Sequence, residues 1–328
     1  MSVIEDARTA PANPTGVLAP PRPPRGRPPR RPGGPHRVSL PAPTEPLSTR
    51  GALARGALAL IVTVLVMFLI DLLAFSPLQH FAAQQQLRDQ FREQLAAGTA
   101  PVSEGDFDDV LLPDGAPVAL LSIPSLGVDE VIVEGTSSGD LANGPGHRRD
   151  TVLPGQVGVS VIMGRAAAYG GPFTRLQALQ PGDRFQVRTG QGLSTFEVMG
   201  LRYAGDASPP APARGESRVI LMTARGIPFV PTGVAYVDAK LVGDAQPAGI
   251  RQTTPLTLPA THAAMATDTS TVWALVFALQ FLVLAEIAAV WSFRRVGAQR
   301  TWIVFTPVLL LANLFVAEQT IRLLPNLL

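Results

Sequence analysis

The sequence has no cysteine, a single lysine and few aromatic residues. Without cysteine it can form no disulfide, no thiolate metal site and no thiol nucleophile. Lys240 stands against 26 arginines, which reads as the codon bias of a high-GC genome. Net charge is only +2, and no aromatic-rich basic patch accompanies the pI of about 9.5. The composition therefore gives no ground for a nucleic-acid partner. Charged residues make up 16% of the chain and apolar ones 46%, and the apolar residues are bunched. Bunching of that kind points to membrane spans.

Residues 1–50 hold thirteen prolines and eight arginines. Nothing there can bury a core, so the segment reads as a disordered, polyproline-like cytoplasmic tail. Residues 56–75 are mostly apolar. At 1.5 Å per residue, twenty residues cross a hydrocarbon layer of about 30 Å, which predicts a first transmembrane helix. Arg50 and Arg55 before it place the N-terminus in the cytoplasm by the positive-inside rule. In 76–98, Leu87, Phe91 and Leu95 recur every four residues, which predicts a helix with one apolar stripe, a helical stalk or a helix packed on the domain beyond it. A Pro/Thr-rich stretch at 246–270 reads as a linker. Residues 271–293 and 301–324 read as two further spans around the basic loop with Arg294, Arg295 and Arg300. The expected protein is a multi-pass plasma-membrane protein with residues 117–243 and the C-terminus outside.

Residues 117–243 alternate in short β-like runs: 118–123, 131–134, 158–164, 184–189, 194–203, 218–223 and 234–241. Gly, Pro, Asp and Ser clusters separate them, and one short helix is expected at 172–179. Many short strands with such punctuation predict a mainly β fold, a closed barrel or a sandwich.

This region resembles the sortase family, and most the actinobacterial class E type. The markers are Ser122-Ile123-Pro124, Leu126-Gly127-Val128-Asp129, Val133-Glu134-Gly135, and Leu141 leading into Gly144-Pro145-Gly146-His147. Pro154-Gly155-Gln156, Val161-Ile162-Met163-Gly164, Tyr169-Gly170-Gly171-Pro172-Phe173 and Gly182-Asp183 follow in order. The resemblance implies a sortase-like closed β-barrel with a short helix. It also implies an extracytoplasmic transpeptidase in which a cysteine attacks a sorting-signal peptide while a histidine and an arginine flank it. That chemistry needs a nucleophile, a proton donor for the leaving amine and a fixed positive charge.

Each role can be traced. The histidine position corresponds to Arg165, whose guanidinium stays protonated and cannot cycle protons. The cysteine position corresponds to Ala224. The arginine position falls near Thr232, Gly233 or Val234, and none is arginine. All three roles are lost, and the resemblance implies an inactive homologue. His147 belongs to a structural mark of the family. His36, His80 and His262 fall in a tail, at a membrane edge and in a linker, where solvation is expected. No cofactor and no metal are expected.

Arg165, Thr223 and Arg225 are the candidate contacts for a ligand in the old groove. Two guanidinium groups there would suit a carboxylate or a phosphate; the alternative is that both arginines face solvent. Within the spans, Asp71, Glu286, Glu318 and Arg322 are candidate polar contacts. Asp71 and Glu318 share a depth, and Arg322 lies one turn beyond Glu318, so the first and third spans are expected to pack with Arg322 facing the acids. The expected function is binding: scaffolding of a membrane or cell-envelope protein, or holding of a peptide without cutting it. Two alternatives are a sortase-fold peptidase using Thr223 or a serine, and a structural subunit of a membrane complex.

Overall fold

The computed structural model describes residues 49–105 and 110–328. The tail expected at 1–50 lies outside the described residues, save that Thr49 and Arg50 already belong to a helix. That helix runs through α1 (Thr49–Ile70), a π-helical turn (Asp71–Phe75) and α2 (Ser76–Ala97). Gly98 ends it in the left-handed conformation, donating its N–H to Gln94 and Leu95 carbonyls. The π turn leaves room for the Ser76 hydroxyl, which donates to Leu72 O and accepts the Tyr169 N–H at 3.2 Å. A barrel loop is thereby docked on the helix at its irregular turn.

Eight strands close a barrel: β1 (Pro117–Ile123), β2 (Val128–Glu134), β3 (Gly146–His147), β4 (Gly158–Met163), β5 (Arg184–Thr189), β6 (Gly192–Tyr203), β7 (Ser217–Ile227) and β8 (Val230–Val242). Their order around the barrel is β1-β2-β3-β4-β7-β8-β6-β5. The pairs β2–β3 and β4–β7 are parallel and the rest antiparallel. The short helix α3 (Ser138–Asn143) lies between β2 and β3, opened by a capping box of Ser137 and Asp140. At 172–179, where a short helix was expected, only a 3-10 turn forms, over Leu176–Ala178.

Alternation of side chains gives each strand an inner and an outer face. Ile123, Ile162, Phe185, Phe196, Leu221 and Val237 face inward and form the core with Phe173 and Leu176. Two glycines of the marker run are required by close approach. A Cβ on Gly164 would lie 2.4 Å from the Phe173 ring, and one on Gly146 would lie 2.1 Å from Gly135 O. Only glycine lets these backbones meet.

Among the described residues three helices are long and apolar enough to cross a membrane: Ala54–Ala97, Thr269–Val296 and Ala298–Arg322. The last two contain α4 (Val272–Val296) and α5 (Ala298–Arg322), joined at Gly297. Ala278, Leu282, Ala312 and Val316 pack together, with Leu60 and Val64 of α1 against them. Leu58, Ile61, Leu65, Phe281, Trp291 and Trp302 remain exposed. So wide an apolar surface suits lipid.

The helix expected as a stalk or as packed on the domain is laid along the barrel. Leu87 packs on Val131 and Val133. Gln84 exchanges hydrogen bonds with the Val131 backbone, and Arg88 pairs with Asp129 at 2.7 Å. His80, expected to be solvated, is buried between Ala142 O at 3.2 Å and Glu130 at 3.1 Å. The stretch 246–270 is likewise held down. Arg251 donates to the Thr151 and Arg149 carbonyls, and Thr253 N–H to Glu104.

Candidate functional site

The outer faces of β4, β7 and β8 form an apolar floor of Val161, Met163, Met222, Ala224, Val234 and Tyr236. Ala224, at the position the resemblance gives to the nucleophile, pairs directly with Val234 on β8. Val234 therefore stands opposite it where the flanking arginine would act. Gly233 pairs with Arg225, one residue further along the hairpin. Ala224 is 4% exposed and Val234 7%, so the floor is covered.

The cover comes from the end of the chain. Leu327 and Leu328 pack on Leu141, Met163, Met222, Ala224 and Val234. Ala166 N–H donates to Leu327 O at 2.8 Å and Ala168 N–H to Leu328 O at 2.8 Å. Asn326 is fully buried and its side-chain amide donates to the Thr261 and Ala263 carbonyls. Beside this seal a cavity of about 430 Å³ remains, lined by Arg148, Asp150, Met163, Met222, Tyr236 and His262 among others.

Arg165 follows β4, at the position the resemblance gives to histidine. It is neither solvent-facing nor a groove ligand contact: it is fully buried. One terminal nitrogen donates to Ser138 O at 2.9 Å and Ser138 Oγ at 2.8 Å. The Ser138 hydroxyl donates onward to Arg322 O at 3.0 Å. The guanidinium also lies 5.0 Å from the Tyr169 ring centre. Burial pulls its pKa down to about 10, against the opposing pull of Tyr169 and Glu318. Tyr169 is a buried non-glycine residue with φ 52°, a sparsely populated conformation fixed by its surroundings. Burial first, then the Glu318 carboxylate, pushes its phenol up to about 12. Arg165 thus latches the barrel to α3 and, through Ser138, to the end of α5.

Thr223 and Arg225 are not groove contacts either. Alternation along β7 turns them to the face opposite Ala224. Thr223 is fully buried and its hydroxyl donates to Gly164 O at 3.0 Å. A hydroxyl held there is turned away from any substrate on the floor. Arg225 is exposed, with its guanidinium 4.0 Å from the Tyr203 ring centre. The two arginines therefore do not converge on one anion.

His147 is buried with Glu134, Nδ1 lying 2.9 Å from the carboxylate and Nε2 2.9 Å from Val152 O. It braces β2, β3 and the following loop, away from the floor. His262, expected to be solvated, is 5% exposed. Its Nδ1 accepts the Thr136 N–H at 3.0 Å, so the ring hydrogen sits on Nε2, facing Asp114 at 3.9 Å. Asp114, Asp140 and His262 come close enough to hold a metal. One oxygen of each carboxylate is committed: Asp140 Oδ2 caps Ser137, and Asp114 Oδ1 accepts from Arg149. With a proton on its facing nitrogen, His262 turns an N–H toward Asp114, at 3.9 Å an electrostatic neighbour and not a hydrogen-bond partner. Burial raises the Asp140 pKa, partly offset by the Ser137 hydrogen bonds.

Of the polar residues in the spans, Asp71 is buried at the π turn, where Leu72 packs with Ile321 of α5. First and third helices therefore meet at that depth. Arg322 pairs with Glu318 on its own helix at 2.9 Å, and Gln79 reaches Glu318 at 3.4 Å. Among the described residues no hydrogen bond reaches Asp71's carboxylate oxygens, so Arg322 serves one acid and not both. Glu286 is half-buried on α4.

Residues 121–231 match the family model of the sortase domain. Sortase D of Bacillus subtilis (strain 168) is 32% identical over 85 residues, which is 26% of this chain and 41% of that protein. Among solved structures, a Clostridium perfringens sortase D5 transpeptidase aligns at 22% identity, covering 49% of this chain and 99% of its own, with a TM-score of 0.41. Sortase E1 from Streptomyces coelicolor, solved with a tripeptide in its active site, aligns at 22% identity over 40% of this chain and 91% of its own, with a TM-score of 0.35. The middle of the chain is similar to sortases, and the barrel has the eight-stranded closed form expected from the sequence.

Proposed function

We propose that this chain is a membrane-anchored, catalytically inactive sortase homologue of the class E type, which binds a peptide or a protein of the cell envelope without cutting it. The observation that carries the reading is the occupancy of one site. Ala224 lies on the groove floor with Val234 directly opposite and the buried Arg165 on the adjoining loop. Alanine and valine have no ionisable group, and a guanidinium neither attacks a carbonyl nor cycles protons. The floor is apolar and grooved, which suits the side chains of an extended peptide.

Membrane attachment is supported by the placement of charge. The C-terminal part of α1 and the end of α5 meet the barrel through Phe68, Leu72, Ile321 and Leu324. Arg50, Arg55, Arg294, Arg295 and Arg300 lie at the other ends of the helices, so an extracytoplasmic barrel with a cytoplasmic N-terminus obeys the positive-inside rule. In this reading Glu318, which Gln79 of α2 reaches, joins helices and is not part of an ion path, since it sits where the helices meet the barrel.

The test uses the full chain in mild detergent with a sorting-signal peptide and an amine acceptor. The peptide should remain intact, and mass spectrometry should find no acyl adduct on any side chain. An adduct on Thr223 or a serine would replace this reading with one of unusual catalysis. Protease added to intact protoplasts should remove 117–243; protection of that region would reverse the topology.

A further inference from the structure

We propose that residues 325–328 are a built-in occupant of the groove, and that the groove accepts a peptide whose turn lays two adjacent aliphatic side chains on the floor only when this segment leaves. The inference rests on the reading of the groove as a peptide site and names what it takes. Three observations lead to it. First, the segment is seated as a turned peptide would be, with Leu328 N–H donating to Pro325 O at 2.9 Å, which lets both leucines face the floor. Two N–H groups two residues apart, Ala166 and Ala168, donate to consecutive carbonyls, while both leucine side chains are buried over Ala224 and its neighbours. Main-chain bonds hold such a ligand and side-chain pockets select it.

Second, the seat has its own fastening. Asn326 N–H donates to Ala266 O at 3.0 Å, and its amide donates to Thr261 and Ala263. These bonds tie the occupant to the 260–266 stretch, which lies over the same floor through Ala264. Third, the occupant continues from α5, whose last turn is latched to Arg165 through Ser138. Movement of α5 would therefore draw Leu327 and Leu328 from the floor. The open cavity beside Met163 and Met222 extends the groove past the space the segment fills. A longer peptide has room there.

The test exploits the absence of native thiols. Ala224→Cys in the full chain, in mild detergent, should react with a maleimide at least tenfold more slowly than the same variant carrying Leu327→Asp and Leu328→Asp. A labelled peptide containing the Pro-Asn-Leu-Leu sequence should bind the double-Asp chain at least tenfold more tightly than the unmodified chain, and a Pro-Asn-Ser-Ser version should not bind. Asn326→Ala, which loosens the seat without burying charge, should give the same direction of change should the double-Asp chain fail to fold. Equal labelling rates with and without the occupant would overturn the occupancy. An accessible thiol with no binding of the Leu-Leu peptide would overturn the specificity. Cleavage of the peptide would count against the non-catalytic reading instead, so the two failures are distinguishable.

Discussion

Strands β4 and β7 carry two faces that pack against different partners. Their inner residues, Ile162, Val219 and Leu221, pack with Phe173 and Phe196 as a barrel requires. Their outer residues, Met163, Met222 and Ala224, have no chemistry and are covered by Leu327 and Leu328. The inner face answers to packing, which tolerates few changes in volume. The outer face is a contact surface, and on the proposed reading it carries no catalytic demand. Arg165 belongs to the same set of contacts, since it holds Ser138 and, through it, the end of α5.

The largest way to sharpen this contrast is to damage the inner face. Phe173→Ala removes a fully buried ring from the core beside Gly164. It should cost about 3–5 kcal/mol, read as a fall in the thermal unfolding midpoint of the full chain in detergent. A loss under about 1 kcal/mol would mean that the interior is looser than the packing shows.

Next comes the Tyr169 phenol, held up to about 12 by burial. Below pH 10 both folded and unfolded phenols keep their proton, and the tyrosine's contribution is intact. Between 10 and about 12 the unfolded chain loses the proton first, so stability falls with pH by roughly 3 kcal/mol. Arg165, drawn down to about 10, has the opposite slope between there and its ordinary value of 12.5, because the unfolded chain binds the extra proton. Tyr169→Phe separates the two. A late phenolate absorbance step near pH 12 should vanish in that variant, and a step unchanged by it would belong to another tyrosine.

Ser138→Ala tests the latch. It removes an acceptor from Arg165 and a donor from Arg322 O. A loss of about 1–3 kcal/mol is expected, because it leaves buried polar groups without partners. Ser138→Thr, which keeps the hydroxyl, should recover part of it. The smallest effect belongs to Arg225→Ala. The exposed stack on Tyr203 is worth about 0.5–1 kcal/mol. A loss several times larger would show that Arg225 does more than stack.

Much of the barrel was legible because its strands alternate. β5, Arg184–Thr189, has a strict exposed–buried alternation, and its limits coincide with the expected ones. The β7–β8 hairpin extends further than expected, through Arg225–Ile227 and Val230–Gly233, because backbone pairing continues where apolar patterning has stopped. β3 is two residues long and α3 six, too short for any period to register. The positions of Arg165 and Ala224 were legible through ordered motifs. The direction of Thr223 and Arg225 was not, since a one-residue step along a strand reverses the face. The burial of His80 and His262 and the seating of Leu327 and Leu328 are long-range contacts. They join residues up to about 190 apart in sequence through backbone carbonyls and shape, and local composition carries no sign of them.

The central claim is that the groove has lost its chemistry as a unit, and Ala224→Cys tests it most directly. The substitution restores the nucleophile alone, while Arg165 stays buried on Ser138 and Val234 stays opposite. With sorting-signal peptide, amine acceptor and the full chain in detergent, carrying also Leu327→Asp and Leu328→Asp so that the groove is open, the account predicts intact peptide and no thioester at position 224 by mass spectrometry. Accumulation of that acyl-enzyme, or turnover of the peptide, would contradict it.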